Sequence, residues 1–136
     1  MNAGMSLTKG YAAIIGVVLI LLGLLGFIAN PIVGDAGSNP IFVTGTVHNL
    51  VHLITGALAL YVAFGLKGDQ QVMGVIGIGL LYLALVLLTL VSGDLFGLLG
   101  YKVNVADHAL HVGLALSALA VGWYERSSSG RMATVR

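Results

Sequence analysis

The sequence predicts an all-α fold, a four-transmembrane-helix bundle built from two parallel-repeat helical hairpins. Three observations carry that reading. Of 136 residues, 58% are hydrophobic and only 8% are charged, and the mean hydropathy is +1.03. Four apolar runs each reach roughly the 20 residues that a helix needs to cross a hydrocarbon core of about 30 Å. Polar residues also recur at matching positions in the two halves of the chain. An average soluble domain is about a quarter charged, and a domain this small exposes a large share of its surface. Six basic and five acidic side chains cannot cover such a surface. A soluble globular domain, a disordered chain and a coiled coil are therefore excluded. A net charge of +1 with no basic cluster excludes a nucleic-acid binder. With no cysteine, disulfides, thiol chemistry and thiolate metal sites are excluded as well.

The first helix is predicted over 11–28, where Lys9 precedes a long apolar run that closes at Asn30-Pro31. The run exceeds the apolar region of a cleaved signal and no A-x-A site follows it, so it reads as a retained span. The second helix is predicted over 46–65. The third, over 72–91, is closed by Ser92-Gly93-Asp94, and the fourth covers 105–124. None of the runs shows the polar face of a surface helix or the alternation of a barrel strand. Residues 1–124 thus form a single four-helix membrane domain. The serines at 127–129 and Gly130 predict a polar, disordered cytoplasmic tail over 125–136.

Charge placement predicts topology. In a four-span chain, Lys9, Lys67, Arg126, Arg131 and Arg136 fall on one side and Lys102 on the other. By the positive-inside bias, both termini and the 66–71 turn face the cytoplasm, and loops 29–45 and 92–104 face outward. Tyr11, Trp123 and Tyr124 at the inner boundary and Phe96 and Tyr101 in an outer loop read as interfacial anchors. Tyr82 and Tyr61 lie deeper and read as packing residues.

The internal repeat places Gly16–Gly23 against Gly74–Leu81, Asp35 against Asp94, and His48–His52 against Asp107–His111. Two hairpins in the same orientation are related by an axis along the membrane normal. All four histidines of the chain fall at the predicted outer starts of helices two and four. His48 and His52 are spaced i,i+4, as are Asp107 and His111, while His108 and His111 are spaced i,i+3, so each set shares a helix face. Ionisable groups in a membrane span usually face the bundle interior.

Three functional readings of this cluster stand. One is structural: the side chains hydrogen-bond between helices, and Asp107 is favoured by the helix dipole. The protein is then a non-enzymatic structural or accessory subunit of a membrane complex or a homo-oligomer. A second is a transition-metal site built from His48, His52, Asp107, His108 and His111, since imidazole suits Zn, Cu, Fe or Ni. Haem clamped between His52 and His111 is its variant, although nothing in the sequence encodes a slot for a porphyrin. A third is proton or quinone handling at the same place, since His titrates near neutral pH. No paired carboxylates and no Ser/His/Asp set occur at a common depth, so an enzyme is the least supported class. The glycines read as packing devices, because small residues let helix backbones approach in lipid. Gly16 and Gly23 on helix one, Gly56 on helix two, and the ridge Ala109, Gly113 and Ser117 on helix four are the expected contacts. Helices two and four are expected to touch.

The segments His48–Gly56 and Val103–His111, with the run Gly79–Ala84, resemble the small bacterial membrane proteins grouped as domain of unknown function 4383. The resemblance covers roughly residues 10–124. In that family the second motif often reads Asn-x-x-Asp-Asn-x-x-His. Asn104, Asp107 and His111 match it, and His108 stands where the family has Asn. The resemblance implies a four-helix protein of the bacterial inner membrane with His52 and His111 as characteristic positions. It implies no activity.

Overall fold

The computed structural model describes the backbone of residues 6–134 and the side chains of residues 6–130. It contains four long helices, α1 (Leu7–Leu25), α2 (Thr46–Gly65), α3 (Gly68–Val91) and α4 (Val105–Thr134). Each is long and apolar enough to cross a membrane. The chain is a four-transmembrane-helix bundle.

Local chemistry explains where the helix ends depart from the sequence expectation. α1 starts at Leu7, ahead of Tyr11, because the Ser6 hydroxyl accepts the Lys9 N–H at 3.2 Å as an N-cap. It closes at Leu25, short of Ile28. Phe27 and Ile28 donate to the carbonyls three residues back, tightening the last turn. Asn30 then ties it off: its Nδ2 donates to Leu25 O at 2.8 Å, and its Oδ1 accepts the Ile32 and Val33 N–H groups at 2.9 Å each. α3 starts at Gly68 rather than Val72, with Asp69 in the first turn, where the helix dipole favours an acid.

α4 corrects the expectation of a disordered tail from 125, since it continues past Tyr124 to Thr134. The Ser128 and Ser129 hydroxyls donate to the Tyr124 and Glu125 carbonyls four residues back, at 2.9 Å and 3.0 Å. Bonded this way, they do not compete with the helix for its N–H groups. Arg136 and the side chain of Arg131, both counted in the charge bias, lie outside the described residues.

The connection between α1 and α2 holds two short parallel strands, β1 (Val33–Gly34) and β2 (Phe42–Val43), pairing Val33 with Phe42 and Gly34 with Val43. Asp35 makes the reversal between them, its carboxylate accepting the Gly37 and Ser38 N–H groups. Asn39 sits in the left-handed region at φ 54°, which Asn tolerates better than most residues.

The helices pair α1 with α2 and α3 with α4. In the first pair, a Cβ on Gly56 would lie 2.9 Å from the Gly16 carbonyl, and one on Gly23 would lie 2.9 Å from the Asn49 carbonyl. The expected contacts Gly16, Gly23 and Gly56 are thus points where two backbones nearly touch. In the second pair, a Cβ on Gly79 would meet Ala118 and the Ala115 carbonyl at 3.1 Å. Here the expected ridge is corrected: α4 packs through Ala115, Ala118 and Gly122, while Ala109, Gly113 and Ser117 remain exposed. α4 carries small residues on two faces, and lipid, being apolar, leaves either face tolerable. The backbones of α2 and α4 do not pack closely either. They lie across the bundle from each other, and side chains fill the gap at one end.

The core of Leu19, Ala59, Val62, Val75, Tyr82 and Ala118 with its neighbours runs through the middle. Large apolar residues such as Ile14, Ile54, Leu90 and Leu116 cover the outside, as expected of spans whose outer solvent is hydrocarbon.

Candidate metal centre at the long-loop end

Polar groups occupy both ends of the bundle, but they are treated differently. At the end carrying the chain termini, buried Gln71 caps the last turn of α2, its Nε2 donating to the Val62, Ala63 and Leu66 carbonyls at 2.9–3.1 Å. Its Oε1 accepts the Ser6 hydroxyl at 2.9 Å. The Thr8 N–H, freed by the start of α1, donates to the Glu125 carboxylate at 2.7 Å. Deeper in, the Tyr82 and Thr55 hydroxyls bond at 2.9 Å. Among the described residues, the buried side-chain polar groups of this half are paired, as burial demands.

The other end is different. Among the described residues, the buried side-chain atoms without a hydrogen-bond partner are Thr44 Oγ1, Asn49 Oδ1, both ring nitrogens of His52, Asp107 Oδ1, His108 Nδ1 and His111 Nε2. All lie in the first turns of α2 and α4 or in the loop just before α2. An unpaired buried polar atom costs about 1–3 kcal/mol, so their concentration at one end is a chemical signal.

The histidines converge. His48, His52 and His111 are 5%, 2% and 7% exposed. Each offers a ring nitrogen within 4.8 Å of the others. Their ring centroids are 4.4 Å apart for His48 and His52, 5.4 Å for His48 and His111, and 5.8 Å for His52 and His111. The i,i+4 spacing puts the first two rings on one face of α2, and α4 delivers the third from across the bundle. Beside the rings lies a cavity of about 50 Å³, lined by the three histidines, Tyr82 and Thr89 and by Leu95, Leu99 and Val103 of the 92–104 loop.

Two of the five candidate ligands stay apart. Asp107 turns its carboxylate to the loop, where Oδ2 accepts the Val43 N–H at 3.0 Å. The N–H of Asp107 itself donates to Asn104 Oδ1 at 2.9 Å, which caps α4. His108 is half-buried and stands outside the three-ring group. His108 lies three residues before His111, an offset of about 60° around α4, and its ring stays outside the group.

Tyr101 is the residue that the sequence reading misses. It is expected there as an interfacial anchor. Instead its hydroxyl lies 2.6 Å from His48 Nδ1, and the two rings are nearly parallel, with centroids 6.4 Å apart. Burial pushes its phenol well above the usual value of 10, and the nearby Asp107 charge adds to the effect. The hydroxyl therefore stays protonated across the physiological range. Nothing in the spacing links Tyr101 to a histidine 53 positions away. The link comes from the loops, since Asn104 Nδ2 donates to the Ile41 carbonyl at 2.9 Å and Asp107 holds Val43. These bonds stitch 92–104 to 29–45 and set Tyr101 over the start of α2.

A model of the family described as Domain of unknown function (DUF4383) matches residues 9–124 of this chain. No curated protein and no solved structure matches it.

Proposed function

We propose that this chain, which belongs to the DUF4383 family, is an integral membrane protein that binds one transition-metal ion through His48, His52 and His111. The observation that carries the reading is the contrast between the two ends. The bundle pairs its buried polar groups at one end and leaves imidazole nitrogens unpaired where three rings meet. Interhelical hydrogen bonding alone would pair those nitrogens with one another or with backbone. An all-imidazole set suits zinc, copper, nickel or iron rather than calcium or magnesium, which take oxygen ligands. Nitrogens around a tetrahedral zinc stand roughly 3.3 Å apart, so small ring rotations close the group around an ion. Three protein ligands leave a fourth position open, as in sites that exchange water or substrate.

Tyr101 supports the arrangement. A ligating His commonly donates its second N–H to a neighbour that fixes its tautomer. Nδ1–H of His48 donating to the Tyr101 oxygen would present Nε2 to the ion. The cavity of about 50 Å³ suits an ion with a water and is far below the 300–1,000 Å³ of pockets that hold larger ligands. That argues for a bare ion over haem.

We place the protein in the bacterial inner membrane with both termini cytoplasmic. Lys9, Lys67 and Arg126 at one end against Lys102 at the other support this orientation, and the metal group then lies near the outer surface.

The test is elemental analysis of the detergent-purified chain after exposure to zinc and, separately, to copper under reducing conditions. Roughly one ion per chain should be retained by the wild type and lost in His52→Ala and His111→Ala. No stoichiometric metal in the wild type, or equal metal in the variants, would overturn the reading.

A further inference from the structure

Every atom that the three-histidine group offers to an ion is neutral. The donors are imidazole nitrogens of His48, His52 and His111, and the chain has no cysteine to supply a thiolate. Its five acids stand elsewhere. Asp35 and Asp94 bond within their own loops. Asp69 and Glu125 belong to the opposite end of the bundle. Asp107 is buried at this end, but its carboxylate turns to the Val43 N–H and stays outside the group. The Tyr101 phenol adds no charge, because it stays protonated. The cavity beside the rings brings only the hydroxyls of Tyr82 and Thr89. Tyr82 pairs with Thr55 at 2.9 Å, and Thr89 donates to the Leu85 and Val86 carbonyls at 2.8 Å and 3.0 Å. Val51, Leu85, Leu95, Leu99 and Val103 line the rest.

We propose that the ion is copper in its monovalent state, held by three imidazole nitrogens with no fourth protein ligand, and that the neutral site selects it over zinc and copper(II). This inference rests on the metal reading above and names the ion. The unpaired nitrogens of His52 and His111 are buried, so an ion between them is stripped of most of its water. No ligand charge offsets its own. The cost of moving a charge into a low-dielectric interior grows with the square of that charge, so a monovalent ion incurs about a quarter of the penalty of a divalent one. Of zinc, copper, nickel and iron, copper is the one with a stable monovalent state. Copper(I) is also satisfied by three ligands. Zinc on three histidines completes its shell with a water or hydroxide, and the mostly aliphatic walls here disfavour that shell.

The full chain, purified in detergent, is loaded with copper anaerobically under ascorbate. Competition with chelators gives the affinities for copper(I), copper(II) and zinc, and redox titration gives the midpoint potential of the bound copper. Copper(I) should bind at least about a hundredfold more tightly than copper(II), which lifts the couple by about 120 mV over that of the aqueous ion, at about 59 mV per tenfold for one electron. X-ray absorption should show the three nitrogens and no fourth light atom. Thr89→Asp places a carboxylate on the open side of the ion. It should retain copper and lower the couple below that of the wild type, because it supplies the charge that a divalent ion needs. Copper(I) bound no more tightly than copper(II), its displacement by equimolar zinc, a fourth light-atom ligand, or an unmoved couple in folded Thr89→Asp would overturn the proposal and leave the metal reading standing. A wild type that retains no metal of any kind would overturn both together.

Discussion

At the scale of single residues, the site is a matter of which polar atoms are paired. Gln71 spends its whole amide on one helix end and its neighbour, whereas His52 spends neither ring nitrogen. Tyr101 stands between these cases, because its one bond orients a ring that has another nitrogen to offer. Replacing such an outer-shell partner typically weakens metal binding by about 10–100-fold. Tyr101→Phe should do so here, measured by competition with a metal chelator, while the three histidines remain in place. Alkaline pH gives a second readout. The folded phenol titrates above the unfolded value of 10, so its contribution to stability is complete below about pH 10 and is lost as pH rises through the folded value. Thermal stability of the wild type should therefore fall above about pH 10 more steeply than that of Tyr101→Phe.

At the scale of elements, small residues divide into those that join helices and those that leave room. Gly56 and Gly16 join α1 to α2, since any Cβ on Gly56 would press on backbone atoms of α1. Gly56→Val should cost about 1–3 kcal/mol as overpacking, read as a lower melting temperature in detergent. Gly113 leaves room, and a larger residue there should cost nothing comparable. The sequence shows small residues at i,i+4 spacing in both cases. It does not show which face of α4 meets α3, because lipid imposes no penalty on the unused face. The long loops act as one element at the end of the bundle. Asn104 and, from the start of α4, Asp107 bond the first loop, and Tyr101 reaches from the second loop to His48 of α2, so that three residues of the 92–104 loop line the cavity.

At the scale of the whole molecule, topology remains open to direct measurement. Single cysteines at Ser38 and Ser128, introduced into this cysteine-free chain, should react with an impermeant maleimide from opposite sides of the membrane. Labelling from the same side would refute the four-span topology. The number of spans, their approximate limits and the membrane as solvent followed from the sequence by itself. Twenty apolar residues in a row have one stable environment, and a chain with only 8% charged residues has no other. The pairing of His48 with His52 on one face followed as well, from helical periodicity alone. What tertiary structure decided was the rest of the site: that His111 joins those two rings across the bundle, that Asp107 and His108 do not, and that Tyr101 descends from a loop onto His48. The reason is physical. Periodicity fixes which residues share a face of one helix, but the rotation of each helix against its neighbours is set by close backbone contacts such as Gly16 with Gly56 and Gly79 with Ala115, and a small-residue pattern in lipid permits several such rotations.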